Sequence, residues 1–425
     1  MPSRAVYTLA LRALAPALWL WMARRARSAG GQWQILGRER FGRHDRPPFA
    51  ARPVWVHAVS LGETRAAQPL LHALLARGLP VLLTHVTATG RAEGQRLFAA
   101  AIAQGQLAQA WLPYDFPEAA DRFLAHFQPR CGVLVERELW PNLLAAARRR
   151  GVPMTLASAR FSESSLAQAR WLGAALREAL GGLQAVLAQT GADARRLALA
   201  GARDPQVVGN LKFDVQLPAA QLQAGRAWRA ALDRPVLAVA NTREGEEAPL
   251  AQALARWLQA AGQARPLCLF VPRHPQRFEQ AAQALAQAGL AVVRRSAGQL
   301  PGPQAQVLLG DTLGEMPFFY AAADVAIVAG SFAPLGGHNL IEACAAGLPV
   351  IVGPHTHNFK QAVEDAVAAG AALRADDAAQ AVSQAASLLE DAARRARMGE
   401  AARAWTAQHA GATGRILAAL PGLQD

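Results

Sequence analysis

The fold class is indicated by residues 53–64, which have the sequence PVWVHAVSLGET. Residues 54–59 form a run that is apolar except for His57, as is typical of a strand buried on both faces of a sheet. Gly62 allows a sharp turn, and the residues after it repeat leucine and alanine at helical spacing. A buried strand that leads directly into a helix predicts a parallel α/β sheet.

Glu63 lies in the first turn of that predicted helix. Ligands of open parallel sheets bind at the carboxyl ends of the strands, so we expect this carboxylate to face a cleft. A carboxylate in this position can abstract a proton as a general base. It can also merely complement the positive end of the helix dipole, and the residues of this stretch leave both roles open.

The composition bounds the class of protein. A chain of 425 residues is longer than one core usually holds, which predicts two domains. With 52% apolar and 18% charged residues, extensive disorder is excluded. The net charge of +13 indicates an anionic partner, such as a phospholipid surface or an acidic sugar; because no nucleic-acid-binding motif is present, we predict no nucleic acid partner. Three scattered cysteines argue against a disulfide framework.

The first 30 residues differ from the rest and predict a membrane-anchoring helix with a basic flank. Residues 5–23 are almost entirely apolar, and Arg24, Arg25 and Arg27 follow them. A cleaved signal peptide would carry its charges before the apolar run, so we expect this segment to be retained. Its length is close to that of a membrane span, and both a spanning and an interfacial helix remain open, as does an ordinary buried helix. The basic flank favours the cytoplasmic side for the remainder of the chain.

The alternation of apolar runs with helical patterns continues along the chain. A first group of predicted strands covers residues 54–59, 80–86, 110–112, 132–135, 154–157, 185–188 and 206–208. A second group covers residues 235–240, 267–271, 291–293, 307–309, 325–329 and 350–352. We therefore predict two Rossmann-like, doubly wound α/β domains, at residues 31–215 and 216–425, with helices from 376 to 420 closing the second domain. The two domains are expected to face a cleft, a favoured place for a ligand.

Two glycine-containing segments after the strand at 325–329 predict a nucleotide site. The candidate residues are Gly330, Ser331, Gly336, Gly337, His338 and Asn339. Glycines between a strand and a helix let backbone N–H groups approach a phosphate, and the carboxylate of Glu342 can accept hydrogen bonds from ribose hydroxyls. A simple tight turn is the alternative. Arg273, His274 and Pro275 also follow a predicted strand, and the guanidinium can hold an anion unless it is only a solvated helix-start residue.

A second set of residues follows the strands of the first domain. We expect these residues to bind sugar hydroxyls or a lipid-linked acceptor molecule. These candidates are Ser60, Gly62, Glu138, Trp140, Arg160 and Lys212. Lys212 is notable because the chain contains only one other lysine, Lys360, and an ammonium there can meet an anionic substrate. A helix-start acid, a core tryptophan and chance are the alternatives. No metal-ligand spacing occurs, so we predict no metal and no other cofactor.

Taken in order, these motifs resemble those of the 3-deoxy-D-manno-octulosonic acid (Kdo) transferases of lipopolysaccharide synthesis, over nearly the whole chain. The matching blocks are GRERFG at 37–42, the stretch 57–63, ELWPN at 138–142, GNLKFD at 209–214, RHP at 273–275, GGHN at 336–339 with Glu342, and GPHT at 353–356. Three positions depart from the family pattern. Arg137 replaces a small hydroxyl residue, Ser158 replaces asparagine, and Arg243 replaces histidine.

The resemblance implies a GT-B glycosyltransferase that moves Kdo from CMP-Kdo to the lipid A precursor (lipid IVA), with inversion and without a metal. It aligns the catalytic base with Glu63, and it implies the cytoplasmic face of the bacterial inner membrane. Two other readings stay open: a GT-B transferase or epimerase that uses a UDP-sugar, and a basic lipid-binding protein at the membrane surface without catalysis. The number of Kdo residues transferred and the oligomeric state are not predicted.

Overall fold

The computed structural model describes residues 3–29, 33–45, 49–214, 216–260, 266–298 and 301–423. The chain forms two compact units: Met1–Val215 with His409–Asp425, and Gln216–Gln408. The predicted domain limits at residues 30, 31 and 215 lie outside the described residues.

The first unit is built on a parallel sheet of seven strands in the order β3-β2-β1-β4-β5-β6-β7. The strands are β1 Val54–His57, β2 Val81–His85, β3 Leu107–Trp111, β4 Cys131–Val135, β5 Met154–Ala159, β6 Ala185–Ala188 and β7 Gln206–Val207. Helices cover both faces, so Val54 and Val56 enter one core and Trp55 enters the opposite one. The continuous apolar pattern of the central strand follows from burial on both faces.

In the described part of the first unit, nine α-helices before residue 215 lie between these strands or, in the case of the first helix, precede the sheet. They are α1 Arg4–Ala29, α2 Leu61–Ala66, α3 Gln68–Ala76, α4 Ala88–Leu97, α5 Ala99–Ala103, α6 Pro117–Phe127, α7 Pro141–Arg149, α8 Glu163–Gly181 and α9 Gly191–Ala200.

The second unit repeats the architecture with a seven-stranded parallel sheet in the order β10-β11-β9-β8-β12-β13-β14. Its strands are β8 Val236–Thr242, β9 Leu267–Pro272, β10 Val292–Arg294, β11 Val307–Leu309, β12 Val325–Val328, β13 Val350–Val352 and β14 Ala372–Arg374. Its helices are α10 Ala219–Ala230, α11 Glu247–Ala260, α12 Phe278–Gln287, α13 Met316–Ala321, α14 Ile341–Ala345, α15 Lys360–Ala368, α16 Ala378–Glu390 and α17 Ala392–His409. The two sheets confirm the predicted α/β class. Among the strands of the described residues, β14 is the one that was not predicted from the sequence.

The end of the chain differs from the prediction that residues 376–420 close the second domain. The last helix, α18 Ala412–Ala419, belongs to the first unit. Its apolar residues Ile416, Leu417 and Leu420 are buried in the same core as the β1 valines. The carboxylate of Asp214 accepts hydrogen bonds from the backbone N–H groups of Gly411 and Thr413 and so ties this segment to the first unit.

Helix α1 combines a docked face with an exposed apolar face. On the docked face, Tyr7 donates to Asp115 (2.9 Å) and Thr8 donates to Asn142 (3.0 Å). Trp19 packs against the rings of Phe41 and Tyr114. The exposed apolar residues are Val6, Leu9, Leu14, Leu18, Leu20 and Trp21. Within the described residues, one helical segment, Arg4–Arg27, is long and apolar enough to cross a membrane.

Candidate active site

Glu63 is held at the carboxyl end of β1 by backbone hydrogen bonds. Its Oε2 accepts from the N–H groups of Val59 (2.5 Å) and Ser60 (3.2 Å), two residues that lie between the strand and α2. A glutamate at the third position of a helix often caps the first turn in this way. The helix-start role is therefore present in the structure, and the same two bonds fix the position of the carboxylate.

The surroundings of Glu63 make its carboxyl group a stronger base than usual. Burial, together with the negative charges of Glu138 and Glu136, raises the pKa of Glu63 to about 8, although the two backbone hydrogen bonds act in the opposite direction. A base with a pKa near the working pH is suited to general-base catalysis. The acids on either side of Arg137, which itself is exposed, thus act on Glu63 although they follow a different strand.

Glu136 is tied into this edge of the sheet by its backbone and its side chain. Its φ of 65° is unusual for a residue other than glycine. The N–H of Arg160 donates to its carbonyl oxygen (3.3 Å), and the ammonium of Lys212 lies 2.6 Å from its Oε1. The first unit therefore places Glu63, Lys212 and two further acids, from three different connections, in one charged group.

Glu138 and Trp140 have different surroundings. The Oε2 of Glu138 lies 3.8 Å from Nε2 of His57, a fully buried ring whose other nitrogen contacts Thr84. Trp140 is partly buried, packs against the apolar core and directly precedes α7. Gly62 is exposed in the first turn of α2, beside Glu63.

In the second unit, the loop after β12 is folded back on itself. Gly330 has a φ of 74°, and the N–H of Gly337 donates to its carbonyl oxygen (2.7 Å). The ring of His338 packs against the bare Cα of Gly330, where any Cβ would overlap it. Glycine is therefore required at position 330 both by the backbone conformation and by the close approach of the imidazole.

Cationic side chains surround His338. Burial, together with the neighbouring Arg273, Arg243 and His274, lowers the pKa of His338 to about 3. The imidazole is therefore neutral, and positive charge from β9 and β8 converges on the glycine loop. Guanidinium groups at such a place suit a phosphate or carboxylate. Arg243, noted in the sequence only as a departure from the family pattern, thus joins the predicted cation Arg273.

Three residues of the predicted donor site, Ser331, Asn339 and Glu342, form hydrogen bonds within the protein. Ser331 is buried; its hydroxyl donates to the carbonyl oxygen of Val328 (2.9 Å) and accepts from the N–H of Gly353 (2.8 Å). Asn339 accepts from the N–H of Ile341 (3.1 Å) and donates to Glu342 (3.3 Å). Ser331 therefore shapes the loop, and Asn339 orients the carboxylate predicted to meet the ribose.

Sequence reasoning did not single out Glu246 as a functional residue. This buried carboxylate contacts the loop after β12 from the turn after β8. Two adjacent acids in the segment 244–247, directly after a strand, were the available signal. The sequence alone could not show that Glu246, and not Glu247, contacts the loop after β12.

The two parallel α/β sheets are typical of glycosyltransferases of the GT-B type. A solved glycosyltransferase from Rickettsia africae has the same fold, with a TM-score of 0.57 and 14% identity, covering 87% of this chain and 98% of that one. The family described as glycosyl transferases group 1 matches residues 290–405.

The family described as 3-deoxy-D-manno-octulosonic-acid transferase (kdotransferase) matches residues 37–215. The 3-deoxy-D-manno-octulosonic acid transferase of Bordetella pertussis is 68% identical and covers 98% of both chains. The transferase of the same name from Haemophilus influenzae is 32% identical, over 89% of this chain and 88% of that one. The chain belongs to the 3-deoxy-D-manno-octulosonic acid transferase family, and the prediction of a Kdo transferase is confirmed.

Proposed function

We propose that this enzyme transfers Kdo from CMP-Kdo to a hydroxyl group of the lipid A precursor lipid IVA, with Glu63 as the general base. The single observation that carries this proposal is the carboxylate of Glu63, fixed at a strand end with a pKa raised to about 8. An ordinary solvent-exposed glutamate, with a pKa near 4, would be a much weaker base for a sugar hydroxyl.

The transfer would proceed in one displacement. The acceptor oxygen attacks the anomeric carbon of Kdo while its proton moves to the carboxylate of Glu63. The bond from the anomeric carbon to the phosphate oxygen breaks, CMP leaves with the bonding electrons, and the configuration inverts. General-base assistance of this kind contributes about 10²–10⁴ in rate.

The second unit would hold the donor. The guanidinium groups of Arg273 and Arg243 supply positive charge beside His338, and they would stabilise the negative charge that develops on the departing CMP phosphate. The carboxylate of Glu342, oriented by Asn339, would accept hydrogen bonds from the ribose. In the first unit, Lys212, Arg160, Glu138, Ser60 and Gly62 would contact the acceptor or the sugar.

We also propose that α1 attaches the enzyme to the cytoplasmic face of the bacterial inner membrane. Its apolar stripe, which includes Leu9, Leu14 and Leu20, is exposed, and Arg24 and Arg25 follow it. Basic residues near an anionic bilayer contribute about 1 kcal/mol each. The polar bonds of Tyr7 and Thr8 to the globular part favour a helix that lies in the interface over one that crosses the bilayer.

A donor assay tests the transfer. The purified full-length enzyme would be incubated with lipid IVA and either CMP-Kdo or UDP-N-acetylglucosamine. The masses of the lipid products would be determined by mass spectrometry. We expect a mass increase of one or more Kdo units from CMP-Kdo alone. Transfer or epimerisation of the UDP-sugar alone would contradict the proposal, and lipid binding without any product would favour the non-catalytic alternative. Full activity after chelation is also expected, because no metal is proposed.

A further inference from the structure

Glu246 is a buried carboxylate saturated by backbone donors. Only 1% of the residue is exposed. Its Oε2 accepts from the N–H groups of Gly330 (2.7 Å) and Arg243 (2.8 Å). Its Oε1 accepts from the N–H groups of Phe332 (2.8 Å) and Ala333 (3.3 Å). Burial of an ionised carboxylate is costly unless hydrogen bonds replace its hydration, and here four donors do so.

These bonds join two neighbouring strands of the second sheet at their carboxyl ends. Glu246 lies in the turn between β8 and α11, whereas Gly330, Phe332 and Ala333 lie in the loop after β12. Strands β8 and β12 are paired in the sheet. Hydrogen bonds to a charged acceptor are stronger than those between neutral groups, so this carboxylate connects the cation-bearing turn firmly to the glycine loop.

The hydrogen bonds to Glu246 also determine which groups of the loop can bind the phosphate of the sugar donor. The N–H groups of residues 330, 332 and 333 already point to Glu246, and the hydroxyl of Ser331 is bonded internally. These three N–H groups and the Ser331 hydroxyl are therefore not available to a phosphate while Glu246 is in place. We expect Arg243, Arg273 and the second half of the loop to hold the anion, and the position of that second half depends on the first.

We propose that Glu246 is a positioning residue of the donor site: it fixes the loop against which His338 packs, and the backbone of Arg243, without contacting the donor. This inference rests on the proposed function, in which the loop and its cations bind the CMP moiety. Loss of the carboxylate should therefore weaken nucleotide binding specifically, since the N–H groups of Gly330, Phe332 and Ala333 bond to its two oxygens and glutamine would keep only one of them.

The neighbouring residue Glu247 offers a matched control. It is also buried, with 3% exposure, and is the first residue of α11. Its carboxylate is paired with Arg277 (Nε 3.1 Å, Nη2 2.9 Å) and does not contribute to the bonds of the loop described above. Glu247→Gln and Glu246→Gln thus remove the same charge from adjacent buried positions.

The experiment measures CMP binding by calorimetry, together with KM for CMP-Kdo and for lipid IVA and the Tm of each full-length variant. For Glu246→Gln we expect Kd for CMP and KM for CMP-Kdo to rise by about tenfold or more, with KM for lipid IVA within about twofold. Glu247→Gln should lower Tm but leave Kd for CMP unchanged. Glu246→Asp keeps the negative charge on a side chain that is one methylene shorter. Its affinity for CMP should therefore lie between those of Glu246→Gln and the wild type.

Three results would overturn the inference: a wild-type Kd for CMP in Glu246→Gln, an equal loss in both glutamine variants, or an affinity in Glu246→Asp no better than in Glu246→Gln. If Glu246→Gln does not fold, the comparison of Glu246→Asp with Glu247→Asp decides in the same way. Failure of the wild-type enzyme to bind CMP would instead contradict the proposed function itself, which separates the two failures.

Discussion

The ammonium of Lys212 lies 2.6 Å from the carboxylate of Glu136, and both side chains are largely buried, with 17% and 13% exposure. This ion pair lies in the charged group around Glu63. Glu136 is one of the two acids whose charges raise the pKa of Glu63. Lys212 therefore offsets part of the repulsion that Glu136 exerts on the ionised form of Glu63.

The first prediction follows from that pair. In Lys212→Met, the uncompensated charge of Glu136 should raise the pKa of Glu63, so the inflection in kcat/KM against pH should move to higher pH by about one unit. Lys212→Arg keeps the positive charge and should leave the inflection close to that of the wild type. An inflection that does not move in Lys212→Met, with activity lost at all pH values, would assign Lys212 to substrate contact alone.

The second prediction concerns the wild-type pH profile. A general base must be deprotonated in the free enzyme, and the pKa of Glu63 is raised to about 8. We therefore expect kcat/KM to rise with pH and to level off above about pH 8, with a decrease of about tenfold per unit below it. The measurement is initial rates with CMP-Kdo and lipid IVA from pH 5.5 to 9.5. A plateau that begins near pH 5 would contradict the role of burial in setting the base.

The third prediction separates the two roles of Glu63. Glu63→Gln keeps an oxygen that can accept from Val59 and Ser60, whereas Glu63→Ala removes it. Both variants should lose about 10²–10⁴ in kcat. Only Glu63→Ala should also lose stability, by about 0.5–2 kcal/mol, because a capping group is removed. Chemical denaturation and CMP titration provide the readouts, and CMP affinity should be unchanged in both. Retained turnover in Glu63→Gln would exclude Glu63 as the base.

Local patterns predicted most of the strands because the central strands of a parallel sheet are buried on both faces. Residues 325–329 are a continuous apolar run and residues 54–59 are apolar except for His57, and the structure has strands at both. The strand that was not predicted, Ala372–Arg374, has three residues, the last of them exposed, so it carries no comparable run. Residues 416–420 have an apolar pattern, but a pattern on one helix does not identify which of two sheets it covers.

The site was only partly predictable for a related reason. Residues that follow strands, such as Glu63, Glu138 and Arg273, were predicted because strand ends share one edge of a sheet. The bonds of Glu246 join residues 84 positions apart in the sequence, and no local pattern encodes such a contact. Ser331 was predicted to meet the donor from its place beside a glycine; the sequence did not indicate that its hydroxyl also bonds to Val328, at the end of β12, and to Gly353, after β13.

The fourth prediction tests the packing of the last helix. Ile416 is fully buried in the core that contains Val54 and Val56. Ile416→Ala should lower the free energy of unfolding by about 2–5 kcal/mol. Hydrogen exchange should show the loss of protection in α3 and in the β1 region. The same substitution at Val382, in the core of the second unit, is the control. Lost protection in the second unit for Ile416→Ala would contradict the assignment of α18 to the first unit.

The last prediction concerns the exposed face of α1. Leu9, Leu14 and Leu20 are 71%, 57% and 63% exposed, so replacing them with glutamine should cost little folding energy. If the stripe enters the bilayer interface, the triple variant should bind vesicles that contain phosphatidylglycerol at least about tenfold more weakly. Vesicle flotation measures the bound fraction, and raised salt should weaken the remaining binding if the arginines contribute.

A matched control for this experiment is available elsewhere on the surface. Leu199 and Leu313 are exposed to a similar degree, 72% and 71%, and neither belongs to α1. The double variant Leu199→Gln with Leu313→Gln should bind vesicles as the wild type does. Unchanged binding in the α1 variant would contradict an apolar attachment through this stripe. Loss of binding in the α1 variant with intact turnover on detergent-dispersed lipid IVA would assign the helix to membrane attachment, because the charged group around Glu63 would still work without it.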